Sequence, residues 1–361
     1  MIEERNELEE LSNSPEVKKK NKIVSQIVIF GIQLITIIII STVCVYFALQ
    51  YYMVKGQLEE QLVQETIYLE PIEESIELLE EDLIDRRVEL LDEMRSYLLD
   101  GNSTVSLMRN LFTDEIVFVD SEGYNFIPID NTLMKREQDV DNFVLDEKGR
   151  LEYVENGVVL SQKGIDVARF QGDINWEKVA GDNISFAMIR VGARGYGSGA
   201  IILDEKFHNN IQGALAAGVE VGVYFYTQAI TTEEAIEEAQ LVIQELAAYK
   251  DRVTWPVVLD VEDPESNTAR THEITRSQRT DYTITFLEMV EAEGYEPMIY
   301  GNMYSLLKML DIYRIEEYPK WYANYNMDNV YYPYKMDIWQ YTDSGRVDGI
   351  STAVDLNIAF R

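Results

Sequence analysis

Residues 23–54 contain no charged side chain, and residues 27–49 consist mostly of Ile, Val, Leu and Phe. About twenty such residues cross the hydrocarbon core of a bilayer as a helix. A buried helix of a globular domain would show a polar face, and a cleaved signal peptide would have a shorter apolar core. This segment therefore predicts one transmembrane helix over residues 23–54, with the lipid bilayer as its partner.

The charges around this segment predict its orientation. Lys18, Lys19, Lys20 and Lys22 precede it, whereas only Lys55 follows it closely. Because cytoplasmic flanks are enriched in Lys and Arg, residues 1–22 are expected to form a cytoplasmic tail. We expect a single-pass protein of the plasma membrane whose C-terminal bulk is extracellular.

Composition excludes several classes of function. The formal net charge of −33 argues against nucleic acid as a partner, because binding phosphates requires clustered Lys and Arg. Cys44 is the only cysteine and lies in the apolar segment, while His208 and His272 are the only histidines. The sequence therefore predicts no disulfide framework, no His-based triad, no metal site and no cofactor.

Residues 55–100 are predicted to form an acidic helical stalk, because residues 57–100 hold fifteen Asp or Glu against three Arg. Apolar residues recur there at intervals of three and four, close to a heptad pattern. Pro71 is expected to break or restart the helix near Glu70. A homodimer through the stalk and a helix packed on its own neighbouring domain are both compatible with the pattern.

Residues 101–160 are predicted to form a small β-rich spacer module. Strand-like runs at 115–119 and 124–129 flank the turn sequence Asp-Ser-Glu-Gly, and runs at 143–145 and 151–154 flank Asp-Glu-Lys-Gly.

Residues 161–361 show the pattern of an α/β barrel. Eight strand candidates lie at 164–168, 186–192, 220–228, 255–262, 296–301, 320–325, 336–342 and 353–360. Helical patterns at 204–217, 231–249 and 277–293 separate strands in the first part. About ten residues are left between the last strands, too few for a packed crossover helix. We expect an eight-stranded barrel whose final third is poor in helices.

The fourth strand candidate ends in two acids one residue apart, Asp260 and Glu262. Residues i and i+2 of a strand point to the same side, roughly 6.5–7 Å apart along the chain. Two neighbouring carboxyls in a buried place favour one protonated and one ionised form, which is what acid-assisted cleavage of a glycosidic bond requires. The alternative is a strand end with two solvated acids at the rim.

Other polar and aromatic residues also gather where strands end, the face at which α/β barrels carry their chemistry. Acids and Arg there are Asp166, Arg190 and Asp355, and the remaining candidates are Tyr224, Tyr226, Tyr300, Trp321, Trp339 and Gln340. An acidic floor ringed by Tyr and Trp suits a carbohydrate, whose C–H faces stack on rings while its hydroxyls bind carboxylates and amides.

An ordered set of segments carries a resemblance to a known family. They read Gly-Ile-Asp-Val-Ala-Arg-Phe-Gln-Gly at 164–172, Val-Tyr-Phe-Tyr at 223–226, Leu-Asp-Val-Glu at 259–262, Gly-Tyr-Glu-Pro-Met-Ile-Tyr at 294–300, Trp-Tyr-Ala-Asn-Tyr at 321–325, Trp-Gln-Tyr-Thr at 339–342 and Val-Asp-Leu-Asn at 354–357. In this order they resemble the family-25 glycoside hydrolases, the lysozyme-like muramidases. The resemblance covers residues 161–361 and implies an irregular, TIM-like (β/α)5β3 barrel.

The resemblance also implies roles for the acids. Glu262 is expected to be the catalytic acid, Asp260 to orient the substrate N-acetyl group or a water, and Asp166 and Asp355 to line the cleft. Candidate sugar contacts are Tyr224, Tyr300, Trp321 and Trp339, with Arg190, Tyr226 and Gln340 beside them. The implied reaction is hydrolysis of the β-1,4 bond between N-acetylmuramic acid and N-acetylglucosamine in peptidoglycan, without a metal.

Together with the anchor, this implies wall remodelling by an enzyme tethered to a Gram-positive-type cell. Two other functions fit the barrel. One is a wall-binding scaffold that holds glycan without cleaving it. The other is a different glycosidase such as a chitinase, although residues 255–262 lack the longer acidic run of that family.

Overall fold

The computed structural model of the protein describes residues 14–264, 266, 268–325 and 330–360. The chain divides into two compact units, Met1–Gly101 and Asn102–Arg361. Residues 1–13 of the predicted cytoplasmic tail lie outside the described residues.

The described part of the first unit is dominated by one long helix, α1 (Pro15–Leu99). It begins at Ser14, whose Oγ accepts a hydrogen bond from the Val17 backbone N–H at 3.4 Å. By length and composition alone, its apolar part is able to cross a membrane. The predicted break at Pro71 is wrong, since α1 continues through it. This part of the helix is exposed, so water can hydrate the carbonyl that a proline leaves without its N–H donor.

The second unit begins with helix α2 (Thr104–Leu111) and a two-stranded antiparallel hairpin, β1 (Glu115–Asp120) and β2 (Gly123–Pro128). A three-stranded antiparallel sheet follows, formed by β3 (Phe143–Leu145), β4 (Leu151–Glu155) and β5 (Val158–Val159). Both predicted strand pairs are therefore present, each around its predicted turn.

These strands pack against the barrel within the same unit. The Tyr331 hydroxyl accepts a hydrogen bond from the Val117 backbone N–H at 2.8 Å. Phe143 meets Trp339 edge to face, with ring centroids 5.4 Å apart. Lys308 also donates to Asp120 at 2.7 Å, which ties the β1–β2 turn to the segment after a barrel strand. Residues 102–160 thus share a core with the barrel.

All eight predicted barrel strands are present and form a closed barrel. In chain order they are β6 (Gln162–Val167), β7 (Phe186–Arg194), β9 (Glu220–Tyr226), β10 (Val253–Asp260), β11 (Pro297–Asn302), β12 (Lys320–Ala323), β13 (Ile338–Gly345) and β14 (Val354–Ala359). Closure occurs because β6 pairs with both β7 and β14. A short strand, β8 (Ile201–Leu203), extends the sheet from β7. Among the eight described barrel strands, β14 alone runs antiparallel to both of its neighbours.

The helices of this unit are α3 (Trp176–Gly181), α4 (Phe207–Ala217), α5 (Thr232–Leu246) and α6 (Arg276–Ala292). The side chains of Thr231 and Thr275 cap α5 and α6 by accepting from backbone N–H groups three residues later. A single π-helical turn, Ser305–Met309, follows β11. The helix-poor final third is as predicted, and the unit is a mixed α/β barrel.

The barrel interior is filled near the N-terminal ends of its strands. Phe186 and Trp255 stack there with ring centroids 3.8 Å apart. Gly164 leaves room for this stack, because a Cβ at that position would lie 2.2 Å from the Phe186 ring. This aromatic stack, with the buried residues packed around it, fills that end of the barrel.

Candidate active site

The carboxyl ends of the parallel strands surround an open cleft of about 360 Å³. It is lined by ten of the predicted site residues, namely Asp166, Arg190, Tyr224, Tyr226, Asp260, Glu262, Tyr300, Trp321, Gln340 and Asp355. Ala168, Phe170, Gln171 and Tyr325 complete the lining. The strand ends thus bring together residues that are almost two hundred positions apart in the sequence.

Asp166 and Asp355 lie directly opposite each other on the antiparallel strands β6 and β14. The buried Asp166 accepts hydrogen bonds at Oδ2 from Gln340 Nε2 at 2.7 Å and from Asn357 Nδ2 at 2.9 Å. Burial, and then the charge of Asp355, raise the pKa of Asp166 well above its usual range despite these two donors. Asp166 therefore retains a proton more readily than an ordinary carboxyl.

Asp260 is the last residue of β10 and is 6% exposed. Its Oδ1 has no hydrogen-bond partner among the residues that the structure describes. Burial, followed by the charges of Glu262 and Asp166, raises the pKa of Asp260 well above its usual range, and Arg190 opposes this shift. A buried carboxyl oxygen without a donor is costly, so this atom is suited to receive an N–H or O–H from a ligand.

Glu262 lies two residues beyond the end of β10 and is half-buried. It lines the same cleft as Asp260 and faces the phenols of Tyr226 and Tyr300, whose pKa values its charge helps to raise. Because Glu262 is more accessible than Asp260, it can meet a substrate oxygen while Asp260 stays at the floor. This difference in exposure is what two acids with separate roles require.

Asp355 is also half-buried, and its surroundings differ from those of Asp166. Burial and then the charge of Asp343 raise the pKa of Asp355 to about 6. Its carboxyl therefore changes charge at a pH closer to neutrality than an ordinary aspartate does.

Gln340 connects the acids to the tyrosines. Its Oε1 accepts hydrogen bonds from the hydroxyls of Tyr300 at 2.7 Å and Tyr325 at 2.6 Å, while its Nε2 donates to Asp166. Burial raises the pKa of both phenols, so they remain protonated donors. The amide is fixed in one orientation by three partners.

Trp321 forms a wall of the cleft and is only 1% exposed. Its Nε1 donates to Asn357 Oδ1 at 2.8 Å, and Tyr300 packs against its ring edge to face at 4.6 Å between centroids. Tyr224 of β9 contacts the same ring, with centroids 5.9 Å apart. Among these aromatics, Trp321 contributes mainly shape, since little of its ring is open to a ligand.

Trp339 does not lie in the cleft. It is fully buried on the outer side of β13, where its Nε1 donates to the Asn324 carbonyl at 3.0 Å and Phe143 packs on its ring. Successive residues of a strand point to opposite faces, so Trp339 and Gln340 cannot both face the interior. Gln340 takes the inner position and Trp339 the outer one.

Phe170 is a cleft residue that the sequence reasoning did not single out. Its side chain is 63% exposed, and the Arg190 guanidinium lies 4.8 Å from its ring centroid. Arg190 is itself held by Asp204, which accepts from its Nε at 2.8 Å. Asn357, which holds Asp166, was missed as well. Phe170 lies in the family-like segment 164–172 and Asn357 in the segment 354–357, so each stands close in sequence to one of the acids, Asp166 or Asp355.

Within the described residues, no group of three or more His, Cys, Asp or Glu is arranged to hold a metal ion. The site can supply carboxyl groups in unequal surroundings, phenol and amide donors, and an exposed ring. This set can bind a neutral polar ligand and transfer protons to and from it.

Three comparisons bear on this site. The model of glycosyl hydrolases family 25 matches residues 165–350. The uncharacterized protein YegX of Escherichia coli is 32% identical over 204 residues, which cover 54% of this chain and 68% of that protein. Lysozyme M1 of Streptomyces globisporus is 25% identical, over 54% of this chain and 66% of its own length.

Among solved structures, the modular autolysin LytC of Streptococcus pneumoniae, determined in complex with a synthetic peptidoglycan ligand, superposes with a TM-score of 0.50. The match is 22% identical and covers 68% of this chain and 58% of LytC. At this identity the likeness concerns the fold.

Proposed function

The chain belongs to family 25 of the glycosyl hydrolases, whose model spans just over half of it, and from this premise we propose that it is a muramidase cleaving the β-1,4 bond between N-acetylmuramic acid and N-acetylglucosamine. The observation that carries the proposal is the shared cleft of Asp260 and Glu262, one acid buried and the other accessible. Phenol and amide donors beside them suit the hydroxyl and acetamido groups of a glycan.

In the proposed reaction Glu262 gives its proton to the glycosidic oxygen as the bond from that oxygen to C1 breaks. Positive charge develops at C1 and is stabilised by the neighbouring carboxyls. A water then adds to C1 and loses a proton, which regenerates the acid. The products are a new reducing end and a free hydroxyl on the leaving sugar, so one water is consumed for each bond.

Asp260 is proposed to position the acetamido group or the water. Its unpartnered Oδ1 is suited to accept a hydrogen bond from an acetamido N–H. Asp166 and Asp355 are proposed to line the cleft. The charge of Asp355 helps to raise the pKa of Asp166, so that Asp166 retains its proton more readily. Tyr224 and Trp321 shape the cleft.

We further propose that residues 23–54 anchor the enzyme in the plasma membrane of a Gram-positive-type cell, with the barrel outside. The uncharged part of α1 and the lysines before it support this topology. The test is to add protease to protoplasts, whose wall has been removed and whose membrane is intact. The protease should digest the barrel and spare an N-terminal tag. Release of the whole chain into the medium with its N-terminus intact would contradict the anchor.

The test of the reaction is mass analysis of fragments that the protein releases from purified sacculi. New reducing ends on N-acetylmuramic acid are expected, with Glu262→Gln as the matched control. Loss of a general acid typically costs about 10²–10⁴-fold in rate, and circular dichroism of the variant should be unchanged. Glycan binding by the unaltered protein without any released fragment would instead favour a wall-binding scaffold.

A further inference from the structure

The stalk, residues 55–100, carries an apolar stripe that has no function in the reaction. At positions seven residues apart stand Leu62, Leu69, Ile76, Leu83 and Leu90. Leu58, Ile72 and Leu79 stand four residues before Leu62, Ile76 and Leu83, and this second set is interrupted by Glu65 and Arg86. In the structure these apolar side chains are between 43% and 65% exposed. The first set takes position a of a heptad and the second takes position d.

We propose that this stripe pairs with the stripe of a second copy of the chain, in a parallel coiled coil. From residue 58 to residue 90 the stripe is about 48 Å long, at 1.5 Å per residue. A straight, narrow stripe of this length matches another helix better than the curved surface of a small domain. The pairing does not depend on the proposed reaction.

The position of Pro71 agrees with such a seam. With Leu69 at position a, Pro71 takes position c, on the side of the helix that faces away from a partner. The lost backbone hydrogen bond then faces water and does not disturb the contact between helices.

Charges beside the seam favour the parallel direction. Asp82 takes position g and Arg87 position e, and in a parallel, in-register pair each g residue faces the e residue five positions later in the second copy. Asp82 would therefore meet an opposite charge. An antiparallel pair would instead bring acidic e positions, such as Glu73 and Glu80, close to one another.

Arg86 occupies a d position within this seam, which sets the register at some cost in stability. Its Nε donates to Asp82 of the same helix at 3.1 Å. In the paired form two Arg86 side chains would face each other with an Asp82 from each copy beside them. A register shifted by one heptad would place Arg86 of one copy against Leu79 of the other and would remove the pairing of Asp82 with Arg87 between the copies.

The test uses the full chain in membranes with Cys44→Ser as background. Leu79→Cys places a thiol at position d, where residues of the two copies lie close enough for a disulfide, whereas Glu81→Cys places it at the outward position f. Mild oxidation should link the Leu79→Cys chains into a dimer several-fold more than the Glu81→Cys chains. Equal linking of the two variants, or none in either, would overturn the proposal.

A charge exchange tests the direction of pairing. In the Leu79→Cys background, Arg87→Glu should weaken cross-linking, and adding Asp82→Arg should restore it. No recovery in the double variant would overturn the parallel register. Digestion of sacculi by the same variants should be unchanged per chain, because neither residue lies in the cleft, so a failure of pairing is distinguishable from a failure of the proposed reaction.

Discussion

Four acids share the cleft, but their surroundings are unequal. Asp166 and Asp260 are buried, whereas Glu262 and Asp355 are half-buried. Burial penalises the charged form of a carboxyl, so the two buried acids retain protons more readily than exposed ones. The cleft consequently does not carry four full negative charges, which reduces the mutual repulsion among its carboxyls.

Asp355→Asn should change how stability depends on pH. Because the pKa of Asp355 is raised to about 6 in the folded protein, its ionisation weakens folding as pH rises from about 4 through 6. Above pH 6 the Asn variant should be more stable than the parent by roughly 1–2 kcal/mol, and near pH 4 the two should be alike.

Urea unfolding at the two pH values measures this difference, with Asp114→Asn as the matched change at an exposed carboxyl. An equal gain for both variants, or a gain that is largest at low pH, would show that the cleft does not raise the pKa of Asp355.

Phe170→Ala should weaken glycan binding without affecting the fold, since the ring is 63% exposed. Loss of an exposed stacking ring is expected to lower kcat/KM by roughly three- to tenfold, an energy of about 1 kcal/mol. Phe170→Trp keeps an aromatic face and should retain most of the activity. The measurement is the rate of glycan cleavage as a function of substrate concentration. An equal loss of kcat/KM in both variants would exclude stacking as the cause.

At the scale of elements, the strands were predictable because their apolar runs are buried on both faces, and all eight candidates correspond to barrel strands. Acids that stand at the C-terminal ends of these apolar runs could therefore be predicted to line the cleft. The direction of single side chains was harder. By residue type, Trp339 and Gln340 are both plausible sugar contacts. Only the register of β13 decides which of them faces the barrel interior.

Loop residues were less predictable than strand residues. Phe170 lies in a 3-10 turn after β6, where no periodicity indicates exposure or direction. The pairing of β6 with β14 closes the barrel and brings Asn357 to Asp166. These two residues are far apart in the sequence, so no local sequence pattern predicts their contact. The continuity of α1 through Pro71 differs from the predicted break, because a proline removes one backbone hydrogen bond and the exposed helix leaves the freed carbonyl open to water.

Gly164→Ala should destabilise the barrel by about 1–3 kcal/mol, because the new methyl group would overlap the Phe186 ring on the paired strand. Adding Phe186→Leu should recover part of the loss by making room. Thermal unfolding of the single and double variants measures both effects. If the double variant is as unstable as the sum of the two single changes, the clash is not the cause.

At the scale of the whole molecule, the net charge of −33 opposes the proposed substrate, since Gram-positive walls are themselves anionic. Repulsion over longer distances weakens as salt shortens the Debye length from about 30 Å at 0.01 M to about 8 Å at 0.15 M. An anchor counteracts the repulsion by keeping the enzyme beside the wall at any ionic strength.

Raising salt over this range should therefore increase the rate at which the detergent-solubilised chain digests wall fragments. The rate on a short glycan released from the same wall should change much less, because few charges are involved. Turnover by reducing-end assay measures both. A rate on wall fragments that falls with salt would indicate an attractive cationic surface instead.

The uninterrupted course of α1 has a consequence for where bonds are cut. From Val54 to Leu99 the helix rises about 70 Å. Under the proposed topology, the length of this helix limits how far from the lipid surface the catalytic unit can be held. Such an enzyme would act on the part of the wall nearest the membrane and leave strands farther out to freely diffusing hydrolases.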